Sequence, residues 1–285
     1  MLTELRPEQF DQYIDFAYEL ALDPAHAGYS AYFDGIKTKA DFIESARYAM
    51  TNPDRGVLLY HLDGQVEGWI QYYLLPEDRY AGLNACCIRR GTAEALAEVT
   101  AYLSARCPGY DFFPGFPAAN REAVAYLEAA GFEKIEDSSH YQIFFDQYVP
   151  VPDPEGVERI TAENFEKFAR IHRKVGSSMY WNAERVQADL SIWDLFVAEE
   201  DGVAAEVMAR HEGAGFYEIF ALECEDGQFH EGLFRKLLAR ALNAGKQGGA
   251  AHLTFFVDTD GEENPVLREM GFQFVGGYVA YKKRI

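Results

Sequence analysis

Val57-Leu58-Leu59-Tyr60-His61-Leu62-Asp63-Gly64-Gln65-Val66-Glu67 returns in outline as Leu195-Phe196-Val197-Ala198-Glu199-Glu200-Asp201-Gly202-Val203-Ala204-Ala205. Each stretch is an apolar run, an Asp-Gly pair and a second run. A type I′ turn needs positive φ at both central residues, which Asp-Gly tolerates, so each stretch predicts a β-hairpin. Two more anchors recur around them in the same order. Leu5-Arg6-Pro7-Glu8-Gln9-Phe10-Asp11-Gln12-Tyr13 parallels Ile160-Thr161-Ala162-Glu163-Asn164-Phe165-Glu166-Lys167-Phe168 and opens a helix in each half. Leu127-Glu128-Ala129-Ala130-Gly131-Phe132 parallels Leu267-Arg268-Glu269-Met270-Gly271-Phe272 and ends one, with glycine fitted to a left-handed helix C-cap. Three anchors in one order imply an internal duplication.

Val149-Pro150-Val151-Pro152-Asp153-Pro154-Glu155-Gly156 separates the copies and reads as a linker. The expected division is therefore a first domain over 1–147, a Pro-rich linker over 148–156 and a second domain over 157–285. The first copy is longer between opening helix and hairpin. The spacing predicts, in each copy, two helices, a hairpin, a third strand, a long helix, a short strand, a helix and a final pair of strands. In the first copy those last strands are expected at 132–136 and 140–146, and in the second at 272–275 and 278–283. The helix expected at 229–244 is the clearest case. Phe229, Leu233, Phe234, Leu237, Leu238, Ala241 and Leu242 recur at three- and four-residue spacing. The fold class is α/β (an α+β mixed sheet), each domain a mostly antiparallel central sheet flanked by helices.

The 285 residues are 48% hydrophobic with a net charge of −20, enough apolar matter for packed cores and too acidic to favour nucleic acid or an anionic membrane as partner. The same charge would steer a cationic substrate such as a small amine. No apolar run approaches the ~18 residues of a membrane helix, and no signal peptide is visible, so a cytoplasmic location is expected. Cys86, Cys87, Cys107 and Cys224 show no paired framework, and the seven histidines have no metal-ligand spacing. Reduced thiols and no metal are expected.

The hairpin, the order of elements and the ending Asn120-Arg121-Glu122-Ala123 through Tyr126-Leu127-Glu128-Ala129-Ala130-Gly131-Phe132 resemble the GNAT (N-acetyltransferase) family. The ending is similar to its N-x-x-A … Y-x-x-x-G-F signature, and in the second copy Asp260 stands at the asparagine position. The resemblance covers most of both halves. It implies acetyl transfer from acetyl-CoA to a small amine by direct attack, with the site where the strands splay beside a Gly-containing loop. In the family that loop, Q/R-x-x-G-x-G/A, opens a helix whose free N–H groups hold the pyrophosphate.

Both loops depart from that pattern. Ile88-Arg89-Arg90-Gly91-Thr92-Ala93 keeps Gly91 and Ala93, and Arg89 and Arg90 offer charge to a phosphate; the same residues also read as a plain helix start with Thr92 as N-cap. Phe229-His230-Glu231-Gly232-Leu233-Phe234 keeps only Gly232. With Asn120, these are the candidate cofactor residues. The family's tyrosine positions hold Leu127 and Leu267, which leaves Tyr126, one residue away, and Tyr278 or Tyr281 as substitutes. Glu218, between Phe216 and Phe220 on a strand, is the candidate base by resemblance to histone-type members. Glu67 and Glu206 on the hairpins are weaker ones. Phe112-Phe113-Pro114-Gly115-Phe116-Pro117 reads as a substrate-pocket wall or as core. Because both loops are degraded, a non-catalytic module binding a CoA-like ligand or a partner stays open beside the enzyme. The acceptor and the oligomeric state are not legible.

Overall fold

The structure is a computed structural model that describes residues 1–28, 38–176, 179–211 and 215–285. It divides into two compact units, Met1–Ser138 with Gly276–Ile285, and Ser139–Val275. The division departs from the sequence boundaries at two places. Residues 139–147 belong to unit 2, and the last ten residues belong to unit 1. The cause is continuity. The strand pair expected at 132–136 and 140–146 is one strand, Glu133–Phe144, and the pair expected at 272–275 and 278–283 is one strand, Gln273–Arg284. Ser138-Ser139 and Gly276-Gly277 look like turns but continue as extended chain.

Unit 1 runs β1 (Leu2–Glu4), α1 (Phe10–Ala21), α2 (Lys39–Thr51), β2 (Arg55–Leu62), β3 (Gln65–Leu75), β4 (Tyr80–Ile88), α3 (Thr92–Arg106), β5 (Asp111–Phe113), β6 (Gly115–Pro117), α4 (Arg121–Ala129) and the start of β7 (Glu133–Phe144). Strands β1 to β4 form an antiparallel meander, and β4 pairs with β5 in parallel. The C-terminal strand closes the unit by pairing antiparallel with β5 and β6. Unit 2 repeats the plan with β8 (Val157–Arg159), α5 (Phe165–Val175), α6 (Ala183–Ala188), β9 (Trp193–Glu200), β10 (Val203–His211), β11 (Phe216–Cys224), α7 (Glu231–Gln247), β12 (His252–Asp258), α8 (Glu263–Glu269) and the start of β13 (Gln273–Arg284). Here β8 to β11 are antiparallel and β11 pairs with β12 in parallel.

Both Asp-Gly pairs form the expected turn, with φ of 52° and 79° at Asp63-Gly64 and 52° and 82° at Asp201-Gly202. Both Gly-Phe helix ends form the expected cap. Gly131 and Gly271 have φ of 73° and 91°, and Phe132 and Phe272 donate back to the carbonyls of Leu127 and Leu267.

Strand alternation gives each sheet two apolar faces. In unit 1, Leu59, Trp69 and Cys87 pack against Phe10, Ile14 and Phe42 of α1 and α2. Leu58, Tyr60 and Ile70 pack against Leu96, Val99 and Leu127 of α3 and α4. In unit 2, Leu195 and Met208 meet Phe168 of α5, while Phe196 and Val207 meet Leu237, Leu242 and Leu267. Each unit is thus a helix–sheet–helix sandwich. All four cysteines are buried free thiols. Among the described residues no helix is long and apolar enough to cross a membrane.

Candidate functional site

The candidate site is built by a one-residue irregularity in the last strand of each meander, β4 and β11. In unit 1, Gln71 faces Ala85 and Tyr72 faces Leu83, so Asn84 is the extra residue of a bulge. In unit 2, Met208 faces Ala221 and Ala209 faces Ile219, so Phe220 is extra. A bulge bends its strand and sharpens the local twist. The parallel partner is lost just there. The β4–β5 ladder ends at Gly82–Phe113 and the β11–β12 ladder at Ile219–Phe255. Beyond these points the parallel ladders do not continue, and β4 and β11 run on alone toward the loops that open α3 and α7.

In unit 1 the chain fills this opening itself. N–H groups alternate sides along a strand, so Arg89 donates to Glu67 O on β3 (2.8 Å) while Ile88 donates into the opening, to His26 O (3.0 Å). Asn120 donates its Nδ2 to Ala27 O (3.0 Å), and its side-chain oxygen accepts from Ala123 N as the N-cap of α4. Gly28 lies so close to β4 that an added Cβ would come within 2.8 Å of Cys86 Cβ. The turn leading in is stapled by Asp23, whose carboxylate accepts from Ala25 N (2.9 Å) and pairs with His26 Nδ1 (2.7 Å). Those two contacts, the Ala25 amide first, hold Asp23 below the usual carboxylate range. Asn120, a candidate cofactor residue by sequence, is therefore a buried clamp on residues 26–28.

Arg89 and Arg90 are also occupied. Both reach the buried Glu67 carboxylate, Arg89 Nε at 2.7 Å and Arg90 Nη2 at 2.5 Å. These hydrogen bonds, Arg90 first and then Arg89, pull the Glu67 carboxyl below its ordinary range. Arg89 in addition lies over the Phe16 ring. Gly91, with φ of 73°, is the N-cap of α3, and a Cβ there would meet Tyr60 Oη at 2.9 Å. Thr92 is accordingly not the N-cap but the first helical residue, buried, with Ala93 exposed beside it. Tyr126 is half-buried on the unit 1 core and Leu127 fully so. Tyr281 donates to Glu128 Oε1 (3.1 Å), and the Tyr278 phenol fills the space over Gly115. Phe112 and Phe116 are core, and Phe113 stacks on Tyr80 at 4.3 Å. Phe112 and Phe116 thus serve packing.

Unit 2 differs at several of these points. Among the described residues no segment stands to β11 as 26–28 stands to β4. As in α3, the first turn of α7 has no side-chain cap; its N-cap is His230. Gly232 lies there, but the Glu200 carboxylate sits over it, 2.9 Å from the position of a Cβ, held by Lys236 Nζ (2.8 Å). Asp260 is exposed and caps nothing. The polar tie is Asn264, which accepts from Tyr141 Oη (2.9 Å) and donates to Asp258 O (2.9 Å) and Gly261 O (2.9 Å). Glu218 is half-buried and lies two residues before the bulge, where β11 and β12 are still paired, with Arg210 and Thr254 opposite. The acid beyond the bulge, on the α5 side of the sheet, is Glu223, directly opposite Glu206.

Glu206 is fully buried. His172 Nδ1 hydrogen-bonds Glu206 Oε1, and His172 Nε2 bonds Trp181 O (2.8 Å). Burial pushes the Glu206 carboxyl up to about 7, against the pull of His172. For His172 burial works downward, but the Glu206 hydrogen bond and charge outweigh it, and the imidazole is held above its usual value. Sequence spacing could have flagged this pair. His172 lies on the apolar stripe of α5, four residues after Phe168, and Glu206 interrupts an apolar strand.

No protein-family profile matches the chain, and no curated protein matches it by sequence. Solved structures do. A GCN5-related N-acetyltransferase from Sphaerobacter thermophilus superposes with a TM-score of 0.66 at 15% identity, covering 100% of this chain and 95% of its own. A tandem GNAT protein from the clavulanic acid biosynthesis pathway follows at 0.58 and 14%, over 100% of this chain and 98% of its own. The chain has the GNAT fold, in tandem. A GNAT-family acetyltransferase from Colwellia psychrerythraea matches at 0.51 and 10%, with 100% of both chains covered. The bulged strand, the end of the parallel ladder and the helix that follows are present in both units.

Proposed function

We propose that the protein is an N-acyltransferase that takes acetyl from acetyl-CoA and gives it to a small amine, with the donor held by unit 2 alone. The observation that carries this reading is the contrast between the two openings. A pantetheine arm bears amides that can pair with a free strand edge, as an added peptide strand does. In unit 1 that edge is already bonded to His26, while among the described residues no such segment meets the β11 edge beyond Ile219; both edges lead to a helix start without a side-chain cap. The donor phosphates would then lie toward His230, Glu231 and Gly232, where helix N–H groups favour an anion.

The reaction needs an uncharged amine. A carboxylate at the splay, Glu223 or Glu218, accepts the ammonium proton, and the freed lone pair attacks the thioester carbonyl. The C–N bond forms, the C–S bond breaks, and CoA leaves as a thiolate that takes up a proton. Leu267 stands where a tyrosine donor would be, so that proton comes from the carboxylic acid or from water. Tyr126 belongs to unit 1 and has no part in this.

Glu200 opposes donor binding by placing a negative charge on the turn that should receive phosphate. Replacing it by glutamine should tighten CoA binding by about fivefold, the scale of one like charge at a helix terminus. Calorimetric titration reads this directly, and an unchanged affinity would move the phosphates away from α7. One set of observations favours a second reading, a non-catalytic binding module. Carboxylates occupy both loops, Glu67 on the arginine pair and Glu200 over Gly232, and leucine fills both tyrosine positions. Absence of any acetylated product over a panel of amines, with CoA still bound, would select it.

A further inference from the structure

His172, on α5, is bonded at both ring nitrogens inside unit 2. Nδ1 meets Glu206 Oε1 on β10, and Nε2 lies 2.8 Å from Trp181 O, in the turn that leads into α6. The His172 and Glu206 side chains are fully buried. The ring is wedged in place. It stacks on Phe168 (4.8 Å), and a Cβ at Gly176 would come within 2.6 Å of His172 Cε1. A carbonyl only accepts, so Nε2 carries a hydrogen. One further proton lies between Nδ1 and Oε1, on the imidazole or on the carboxyl, and either way the pair is neutral overall.

Loss of that shared proton changes the bonding. The neutral ring keeps one N–H and faces two acceptors, a carboxylate and a carbonyl. The carboxylate takes it, because a charge-assisted bond is the stronger and because Glu206 Oε2 is buried with no donor of its own. Nε2 then turns a lone pair on Trp181 O, and attraction becomes repulsion. A second proton has no such effect. It goes to Oε2, and both ring N–H groups keep their acceptors. The arrangement works in one sense, closed in acid and released in base.

The acids around the pair favour the closed form. α6 brings Glu184, which Arg173 meets at 3.1 Å, and β11 brings Glu223, directly opposite Glu206. Glu184 raises the proton affinity of His172, and Glu223 that of Glu206. β10 also brings Arg210, over the Trp181 ring and opposite Glu218. The β9 residues on this face, Trp193, Leu195 and Val197, carry no charge. Burial lifts Glu206 to about 7, and His172 is raised although burial works against it, because Glu206 bonds and attracts it. The shared proton is therefore kept below neutral pH and given up as pH rises beyond about 7.

Trp181 is half-buried and stands edge-on to Trp193 (5.3 Å), and Trp193 stands edge-on to Phe220 (5.2 Å), the extra residue of the β11 bulge. Arg210 lies over all three rings. Arg185 bonds Tyr180 O (3.1 Å) and Asn182 Oδ1 (3.0 Å), ties that join the turn to α6 and travel with it. We propose that the His172–Glu206 pair is a proton-held latch on Trp181. While the shared proton stays, the turn is fastened against Trp193 beside the bulge, and when it leaves, the turn is released. The latch governs access to the bulge from the α5 side, and it stands whether or not unit 2 transfers acetyl.

Acrylamide quenching of tryptophan fluorescence in the full chain, between pH 6 and pH 9, tests this. Trp69 and Trp193 are buried, so Trp181 dominates the change. The quenching constant should rise about twofold across a single one-proton step, with far-ultraviolet circular dichroism unchanged. Trp181→Phe should remove the step. Glu206→Gln should also remove it and leave quenching low at every pH, because its amide donates to Nδ1 and Nε2 keeps its hydrogen on Trp181 O. His172→Phe combined with Glu206→Leu buries no charge and should quench at the high value throughout. Long-range proton–nitrogen NMR spectra read the tautomer directly, with hydrogen on Nε2 below the step and on Nδ1 alone above it. Quenching flat with pH in wild type, a step that survives in either single variant, or Nε2 still bearing hydrogen above the step would overturn the proposal.

Discussion

Replacing Arg89 and Arg90 together by alanine is expected to lower the melting midpoint of unit 1 by roughly 5–10 °C while leaving CoA affinity of the folded protein unchanged. The loop sequence suggests the opposite, arginines lost from a phosphate site. The difference lies in Glu67, buried on β3 with both carboxylate oxygens facing the guanidinium groups. Removing both donors strands a buried carboxylate, and the fold must protonate it or open. Arg90→Ala alone should do much less, because Arg89 still bonds Oε2 at 2.7 Å. The triple variant in which Glu67 also becomes glutamine should recover most of the loss, since no charge is left buried. Calorimetric melting of the three proteins, with CoA titrations on each, separates the two roles. A double variant that melts normally and loses CoA would return the cofactor to unit 1.

His172→Ala should destabilise unit 2 by about 3–5 kcal/mol, the usual cost of removing one partner from a buried ion pair. The effect should depend on pH in a definite sense. Glu206 is raised to about 7 in the fold against an ordinary value of 4.5, so its contribution is complete below 4.5 and is lost as pH climbs through 7. His172 is raised too, so its contribution is present below 6.5 and is lost as pH rises through its higher folded value. Both run in the same direction, and the wild-type melting midpoint of unit 2 should fall between pH 5 and pH 8. In the variant Glu206 has no partner. The loss should then be larger at pH 8, where the carboxylate must ionise in the core, than at pH 5, where it stays neutral. Denaturant unfolding at the two pH values measures this. Equal losses at both would mean that the pair carries no buried charge.

The elements that the sequence made legible are those with a local cause. Asp63-Gly64 and Asp201-Gly202 announce hairpins because few other pairs accept two positive φ angles. Gly131-Phe132 and Gly271-Phe272 announce helix ends for a similar reason. The apolar stripe of α7 from Leu233 to Leu242 is buried as its spacing requires. What escaped depends on partners far along the chain. The three-residue strands β1, β6 and β8 are too short for any periodicity and exist only because a neighbour's edge receives them. The bulges at Asn84 and Phe220, which create the openings, leave no mark of composition. Gly276-Gly277 and Ser138-Ser139 carry turn residues yet continue as extended strand.

The residues around both openings were legible in the sequence, but not the contacts they make. Gly91, Gly232 and Asn120 do mark the two loops and the helix after the splay. Their work became visible only with distances. Asn120 holds Ala27, and the arginines hold Glu67. The residues that now matter most, His172, Glu206 and Glu223, lie on strand and helix positions whose neighbours come from three separate segments.

The central claim is one donor site per chain, in unit 2. Ala93 and Gly232 are the second residues of α3 and α7, so glutamate at either places equal bulk and charge on the same turn of each unit. The decisive measurement is calorimetric titration of wild type, Ala93→Glu and Gly232→Glu with acetyl-CoA. One site in wild type, one site in Ala93→Glu and none in Gly232→Glu is the expected result. Two sites in wild type, or a site lost in Ala93→Glu and kept in Gly232→Glu, would contradict it.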